Sequence, residues 1–360
     1  MRFLLDDEQR EFGRTLGRML AAADTPAAVR AWGAEDRGPG RAVWRRLGEA
    51  GVFGLAVPEK YGGSGFLPVE LVVAYVEAGR HAVPGPLVET AAAAVLLDRL
   101  GDAGLTGGRL PAVAAGDWLP AVTAEDWLPA VATGDAMVSY ADLARGPYAL
   151  DAEAADATFA VRGDTLWRPG RGGAAQPSVD PARLLSRCTV DGGDVLASGP
   201  AVRDAAVYAA DTARLLTGAQ ALGVGRRLLD DTVAYVGQRT QFGVAIGSFQ
   251  AVKHRLADVL VALEFAGPLV LGAAVELAGG TADGGEGPTR AGTGIAMAKV
   301  AAGEAAYAAA RAALQLHGAL GYTDELDLSL WIRKARALRG AWGTPAECRA
   351  RVLASPAPGR

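Results

Sequence analysis

YVGQRTQFGVAIGSFQAVKHRLAD, residues 235–258, decides how the rest of the chain is read. It starts at the end of one apolar-faced segment and finishes inside another. Upstream, Leu215, Leu222, Leu229 and Val236 recur at a heptad spacing, with Ala219 and Val233 offset by one turn, which predicts a helix with a single apolar face. Downstream, Val252, Leu256, Val259 and Leu263 repeat the 4-3-4 spacing. Gly243, Gly247 and Ser248 break the period between them, so a compact loop is expected at the join. Arg239, Gln241 and Gln250 stand at that loop. A guanidinium fork and two amides at one turn are suited to a phosphate and a heterocycle.

Length and composition bound the rest. The 360 residues are enough for two or three domains and a substantial core. Half are hydrophobic, mostly Ala, Val and Leu, with aromatics at only 6%, so a mainly helical protein is the default. The net charge of -4 is spread along the chain, with no basic stripe for nucleic acid and no acidic tail. Cys188 and Cys348 form no CxxC, and His81, His254 and His317 lack metal-ligand spacing, so neither a disulfide framework nor a metal site is expected. MRFLLDDEQREF carries no signal-peptide core, and no run reads as the roughly 20 apolar residues that cross a bilayer. The expectation is a soluble, cytoplasmic protein.

Taken in order, residues 3–22, 41–50, 68–78 and 88–100 read as helices. The repeated Leu-Pro-Ala-Val of 110–131 reads as an extended segment. Runs at 158–161, 165–167 and 188–190 read as short strands, and GRGG at 170–173 as a turn. Residues 201–238, 249–279, 289–316 and 324–339 read as four long helices of a bundle, with a flexible connector at 281–292 and a shorter helix after Pro345. The expected units are an N-terminal helical domain (1–112), a reduced β-domain (113–198) and a C-terminal four-helix bundle (199–360).

The words R-x-Q-F-G (239–243) and F-Q-A-V-K-H-x-L-A-D (249–258) resemble the acyl-CoA dehydrogenase family, in its short, divergent actinobacterial form. W-x-x-L-x-E-A-G-V-x-G-L-x-V-P-E-x-Y-G-G-x-G, beginning at Trp44, is similar to that family's N-terminal helical domain, where it forms part of the acyl-chain wall. The resemblance runs from about residue 3 to 350. It implies FAD: Arg239, Gln241, Phe242 and Gln250 would contact its adenosine diphosphate part, often across a subunit boundary. Gln315 and Gly318 of Q-L-H-G would form a second contacting turn, with Ala319 where the family has a second Gly, and Thr344 would reach the flavin. His317 reads as structural.

Departures matter as much. Around 139–147, where the family has T-E-P-x-x-G-S-D against the flavin ring, this chain reads SYADLARGP, and no W-I-T follows. The family's base is a Glu in E-G-T; here A-W-G-T puts Trp342 there. Some relatives place it on the first bundle helix, where this chain has Ala213. Neither side chain accepts a proton, and Asp211 is a poor substitute. The resemblance therefore implies the base-lacking subunit of a heteromeric, α2β2 acyl-CoA dehydrogenase acting on an acyl-CoA thioester, fatty or steroid-derived. Trp342 would plug the unused acyl pocket, and electron-transferring flavoprotein is implied as acceptor by analogy alone. Two alternatives remain: a tailoring enzyme acting on a carrier-bound or polyketide thioester, and a flavin-free scaffold.

Overall fold

The computed structural model describes residues 4–102, 124–171, 173–279 and 287–355. Asp6 opens the first helix, α1 (Asp7–Ala21), by accepting the Gln9 N–H at 2.8 Å, while the Gln9 side chain accepts the Asp6 N–H at 3.1 Å. That reciprocal cap fixes where the helix starts. A helix the periodicity does not announce, α2 (Thr25–Gly33), follows and buries Trp32 completely. Then come α3 (Gly38–Glu49), α4 (Pro68–Arg80) and α5 (Leu87–Asp102), close to the expected bounds. The extended reading of 110–131 is corrected where it can be tested: Ala124–Thr133 is a helix, α6, despite Pro129 inside it. Glu125 and Asp126 sit in its first turn, where the helix dipole favours acids, and Leu128, Val131 and Ala132 are buried on one side. The rest of that repeat lies outside the described residues.

The middle sheet consists of β1 (Val138–Asp142), β2 (Tyr148–Leu150), β3 (Ala157–Arg162), β4 (Thr165–Arg171), β5 (Gln176–Pro177) and β6 (Leu184–Ser198). Its order is β1-β3-β4-β6-β2, with β5 also on β6; β1 and β3 run parallel and the other pairs antiparallel. The three expected strand runs fall inside β3, β4 and β6. The GRGG turn is corrected in part, because Gly170 and Arg171 are still strand. A Cβ at Gly170 would lie 3.0 Å from the Asp191 carbonyl, so glycine there admits the partner strand at a register shift. Thr90 of α5 pins the sheet: its Oγ1 donates to the Val138 carbonyl at 2.7 Å and accepts the Val138 N–H at 3.1 Å.

The C-terminal bundle is α7 (Pro200–Gln238), α8 (Gln250–Gly279), α9 (Gly287–His317) and α10 (Leu328–Gly340), closed by α11 (Pro345–Ala354). At 39 residues α7 is about 58 Å long. It is buried almost continuously from Tyr208 to Gly225, packing on α4, α5, α8, α9 and α10. Its approach to α4 runs through glycines: a Cβ on Gly223 would fall 1.9 Å from the Val76 carbonyl oxygen, and one on Gly79 would fall 2.1 Å from that of Gln220. The connector expected at 281–292 is shorter, since α9 is helical from Gly287; residues 281–286 lie outside the described residues. The fourth helix starts at Leu328 rather than 324, after a 3-10 turn at Gly318–Tyr322. By length and composition α8 does meet the requirement for crossing a membrane, which corrects the reading that no run comes near it. In this fold its inner side, Leu256, Val259, Leu263, Val270 and Leu277, is buried in the bundle.

One hydrophobic core runs through both helical regions and the inner face of the sheet. Among the buried polar contacts that cross it, two join distant elements through a carboxylate. Asp151, at φ 52, accepts Trp32 Nε1 at 3.1 Å and the Leu184 N–H at 3.2 Å. Lys334 of α10 reaches Asp180 at 2.8 Å, both of them buried.

Candidate functional site

The join between α7 and α8 is a small hairpin, β7 (Thr240–Gln241) and β8 (Val244–Ala245), with Thr240 opposite Ala245 and Gln241 opposite Val244. Phe242 (φ 55) and Gly243 (φ 79) form its two-residue turn, the positive-φ pair that the right-handed twist of a tight hairpin demands. The expected loop is therefore a tight hairpin, a finger at the end of the bundle. Its tip projects Phe242, 93% exposed, edge-on to Phe249 at 6.4 Å. Arg239, Gln241 and Gln250 are all exposed along it. Gln241 Nε2 donates to the Thr240 carbonyl at 2.8 Å; among the described residues, the Arg239 guanidinium and Gln250 amide have no side-chain partner.

The second expected turn lies at the same end of the bundle. His317 stacks on Tyr235, with ring centroids 4.1 Å apart, which brings the end of α9 beside the end of α7. His317 is buried and its Nδ1 lies 2.8 Å from the Ala313 carbonyl, a bond in which the ring N–H donates. That is a structural role. Gln315, Gly318 and Ala319 are exposed around it, and Gly318 takes φ 62, a conformation glycine adopts at little cost.

Trp342 is placed by the α10–α11 loop, at φ 55, an unusual backbone for a bulky residue. Three contacts hold it. Its indole stacks on Tyr140 of β1 at 5.5 Å and 13°, its Nε1 donates to Glu89 Oε1 of α5 at 3.0 Å, and it packs on the main core. Glu89 is almost wholly buried, and burial raises its carboxyl above the usual range against the opposing effect of Arg183. Glu89 Oε2 and the Tyr140 hydroxyl have no partner among the described residues. Beside them is a cavity of about 170 Å³, bounded also by Asp142, Arg145, Arg183 and Leu185. The SYADLARGP stretch and Trp342 thus meet at one place. Glu89, Tyr140 and Arg183 escaped the sequence reading; the available signal was a lone acid in the apolar run VETAAAAV.

Ala213 is fully buried in α7. Asp211, the nearest acid, is held by Arg351 at 2.5 and 2.6 Å and by Arg214. Burial raises its pKa, yet both oxygens are engaged by guanidiniums, which stabilise the carboxylate as an ion-pair member rather than as a base. Thr344 caps α11: its Oγ1 accepts the Glu347 N–H at 3.2 Å and donates to Glu347 Oε2 at 3.0 Å. Among the described residues no cluster of three metal-ligating side chains occurs.

These residues fit one half of FAD. An exposed, unpaired Arg239 and the Gln241 and Gln250 amides offer a diphosphate and an adenine the donors they need. The space beside Trp342 does not fit the ring half: about 170 Å³ takes a few waters, whereas sites for organic ligands begin near 300 Å³. No step through a flavin ring is derived from this chain.

Comparison with known proteins gives concordant results. Residues 6–117 match the family model described as acyl-CoA dehydrogenase, N-terminal domain, and residues 203–355 match acyl-CoA dehydrogenase, C-terminal domain. The chain is 33% identical over 344 residues to acyl-CoA dehydrogenase IpdE2 of Mycobacterium tuberculosis, covering 95% of each. It is 32% identical to acyl-CoA dehydrogenase FadE34 of the same organism, covering 97% of this chain and 48% of the relative. Among solved structures, the ChsE4-ChsE5 complex from Mycobacterium tuberculosis superposes with a TM-score of 0.76 at 23% identity, covering 99% of this chain and all of the other.

Proposed function

This chain belongs to the acyl-CoA dehydrogenase family, and from that premise we propose that it is the base-lacking subunit of a heteromeric acyl-CoA dehydrogenase. The observation that carries the reading is Trp342. A bulky indole, bonded to Glu89 and stacked on Tyr140, stands where the family's resemblance calls for a carboxylate, and the space around it is too small for a thioester beside a flavin. The partner subunit supplies the base and the ring contacts. This chain supplies the finger: Arg239, Gln241, Phe242 and Gln250 on one side, Gln315 and Gly318 on the other. When bound, FAD accepts the hydride in the family's α,β-dehydrogenation.

The exposed surface supports a shared site. Phe242, Val244 and Phe249 on the hairpin, and Leu260, Val261 and Phe265 on the outward side of α8, are exposed together, an arrangement suited to a protein interface. The acyl-CoA is proposed to be fatty or steroid-derived, because the structural relatives include a complex whose name describes it as a steroid ACAD. A cytoplasmic location and the division at 112/113 and 198/199 belong to the same proposal.

The test is the visible spectrum of the purified chain, alone and co-expressed with an acyl-CoA dehydrogenase encoded beside it. Flavin appearing only on co-expression, near one per heterodimer, supports the reading. Stoichiometric flavin on the chain alone, bleached by an acyl-CoA, overturns it. A second test is Trp342→Glu: without a partner the variant is expected to stay inactive, and dehydrogenation by it alone would contradict a half-site.

A further inference from the structure

A cavity of about 690 Å³ opens between α1, α4, α7 and α8, within the size range of small-molecule sites. Its floor is apolar, formed by Val73, Val76, Leu222 and Leu271. Five guanidiniums line it, against one acid, Glu77. Four are tied to acids that do not line the cavity: Arg10 to Asp7 at 2.7 Å, Arg14 to Glu11 at 3.0 Å, Arg80 to Asp230 at 2.8 Å and Arg227 to Asp231 at 2.7 Å. Arg226 is the exception. It is half-buried and, among the described residues, has no hydrogen bond or ion pair.

One buried polar atom there is unsatisfied among the described residues. His81 is 9% exposed and lines the cavity, and its Nδ1 has no partner. Glu77 makes no ion pair among the described residues, although Arg80 and Arg226 act on it electrostatically, and its carboxylate lies against Gly17 of α1, where a Cβ would come within 3.0 Å of Oε2. Gly13 and Gly17 let α1 pack closely on Val73 and Glu77 of α4 at the cavity's edge, at a cost of about 1 kcal/mol each in an interior turn of helix. Arg226 is partly desolvated, and Glu264, Glu77 and Asp230 act on it electrostatically without forming an ion pair among the described residues, so an anionic head group over the apolar floor gives the guanidinium the direct partner it lacks.

We infer that this cavity binds an amphipathic carboxylic acid, with its carboxylate on Arg226, a polar contact to His81 and its apolar body along Val73, Val76, Leu222 and Leu271. The site is separate from the finger and from Trp342, so it stands or falls independently of the half-site reading.

The probe is [1-13C]dodecanoate below its micellar concentration, titrated into the full-length chain and followed by its carboxyl resonance and by calorimetry. Saturable binding with one site and a dissociation constant below about 100 μM is expected. Arg226→Gln should weaken it at least tenfold. Gly267→Leu is expected to abolish it, because a Cβ there meets Arg226 Nη2 at 3.4 Å and no backbone, and leucine favours the helix, so folding is retained. Arg239→Ala should leave binding unchanged. Equal binding of dodecyl maltoside would mean an apolar groove without carboxylate recognition and would overturn the inference. So would unaltered binding by Arg226→Gln, or no saturable binding to wild type.

Discussion

Asp151 is the residue whose environment makes the sharpest prediction. It is buried at φ 52, accepts two hydrogen bonds through Oδ1 and leaves Oδ2 without a partner among the described residues. Burial pushes its pKa up from 3.8 to about 7. The folded state therefore holds the proton more tightly than the unfolded chain. Its contribution to stability is full below about pH 4 and is lost as pH rises through about 7, a span worth up to about 4 kcal/mol. Asp151→Asn keeps the Oδ1 acceptor, suits a left-handed backbone and carries no charge. The variant should melt above wild type at pH 8 and close to it at pH 4; a gap that does not change with pH would refute this account. Trp342 is a residue of the other kind. Its identity was plain from A-W-G-T, but its partner Glu89 was not, because nothing local links α5 to the α10–α11 loop.

At the level of elements, the α4–α7 crossing fixes the geometry of the N-terminal region on the bundle. Gly223→Ala gains about 1 kcal/mol of helix propensity. It also drives a methyl into the Val76 carbonyl, and a backbone atom has no rotamer to retreat to. Overpacking costs about 1–3 kcal/mol even against side chains, so a lowered midpoint in urea is expected. An unchanged or raised midpoint would mean that the two helices slide apart freely. Long elements were legible because burial repeats every 3.6 residues: α7, α8 and α9 were found within a few residues of their ends. α6 was misread because Pro129 and a repeated Leu-Pro suggest extension, whereas packing of α6 on α5 and on the 3-10 turn Phe53–Ala56, with Leu128 and Val131 buried, outweighs that local preference. β1 and β2 were missed because a strand of three to five residues carries too few alternations to stand out.

For the whole molecule, the proposed partner subunit would seat on the finger and the outward side of α8, where apolar side chains are exposed. Phe242→Asp removes an apolar ring that is 93% exposed, so the isolated chain should melt as wild type. Co-expressed with its partner, it should lose complex and flavin together; retention of both would move the interface elsewhere. The sequence by itself determined the helical class, the bundle's long helices, the place and residues of the R-x-Q-F-G loop and the absence of a Glu at 213 and 342, since each is carried by spacing or identity within a few turns of chain. The tertiary structure alone decided that Glu89 meets Trp342 across 253 positions and that Arg351 occupies Asp211 across 140. It alone left Arg226, among the described residues, without a hydrogen bond or ion pair beside an apolar floor. Such pairings depend on which faces are brought together when the core is buried, and one-dimensional periodicity specifies that a face is apolar without specifying what it will touch.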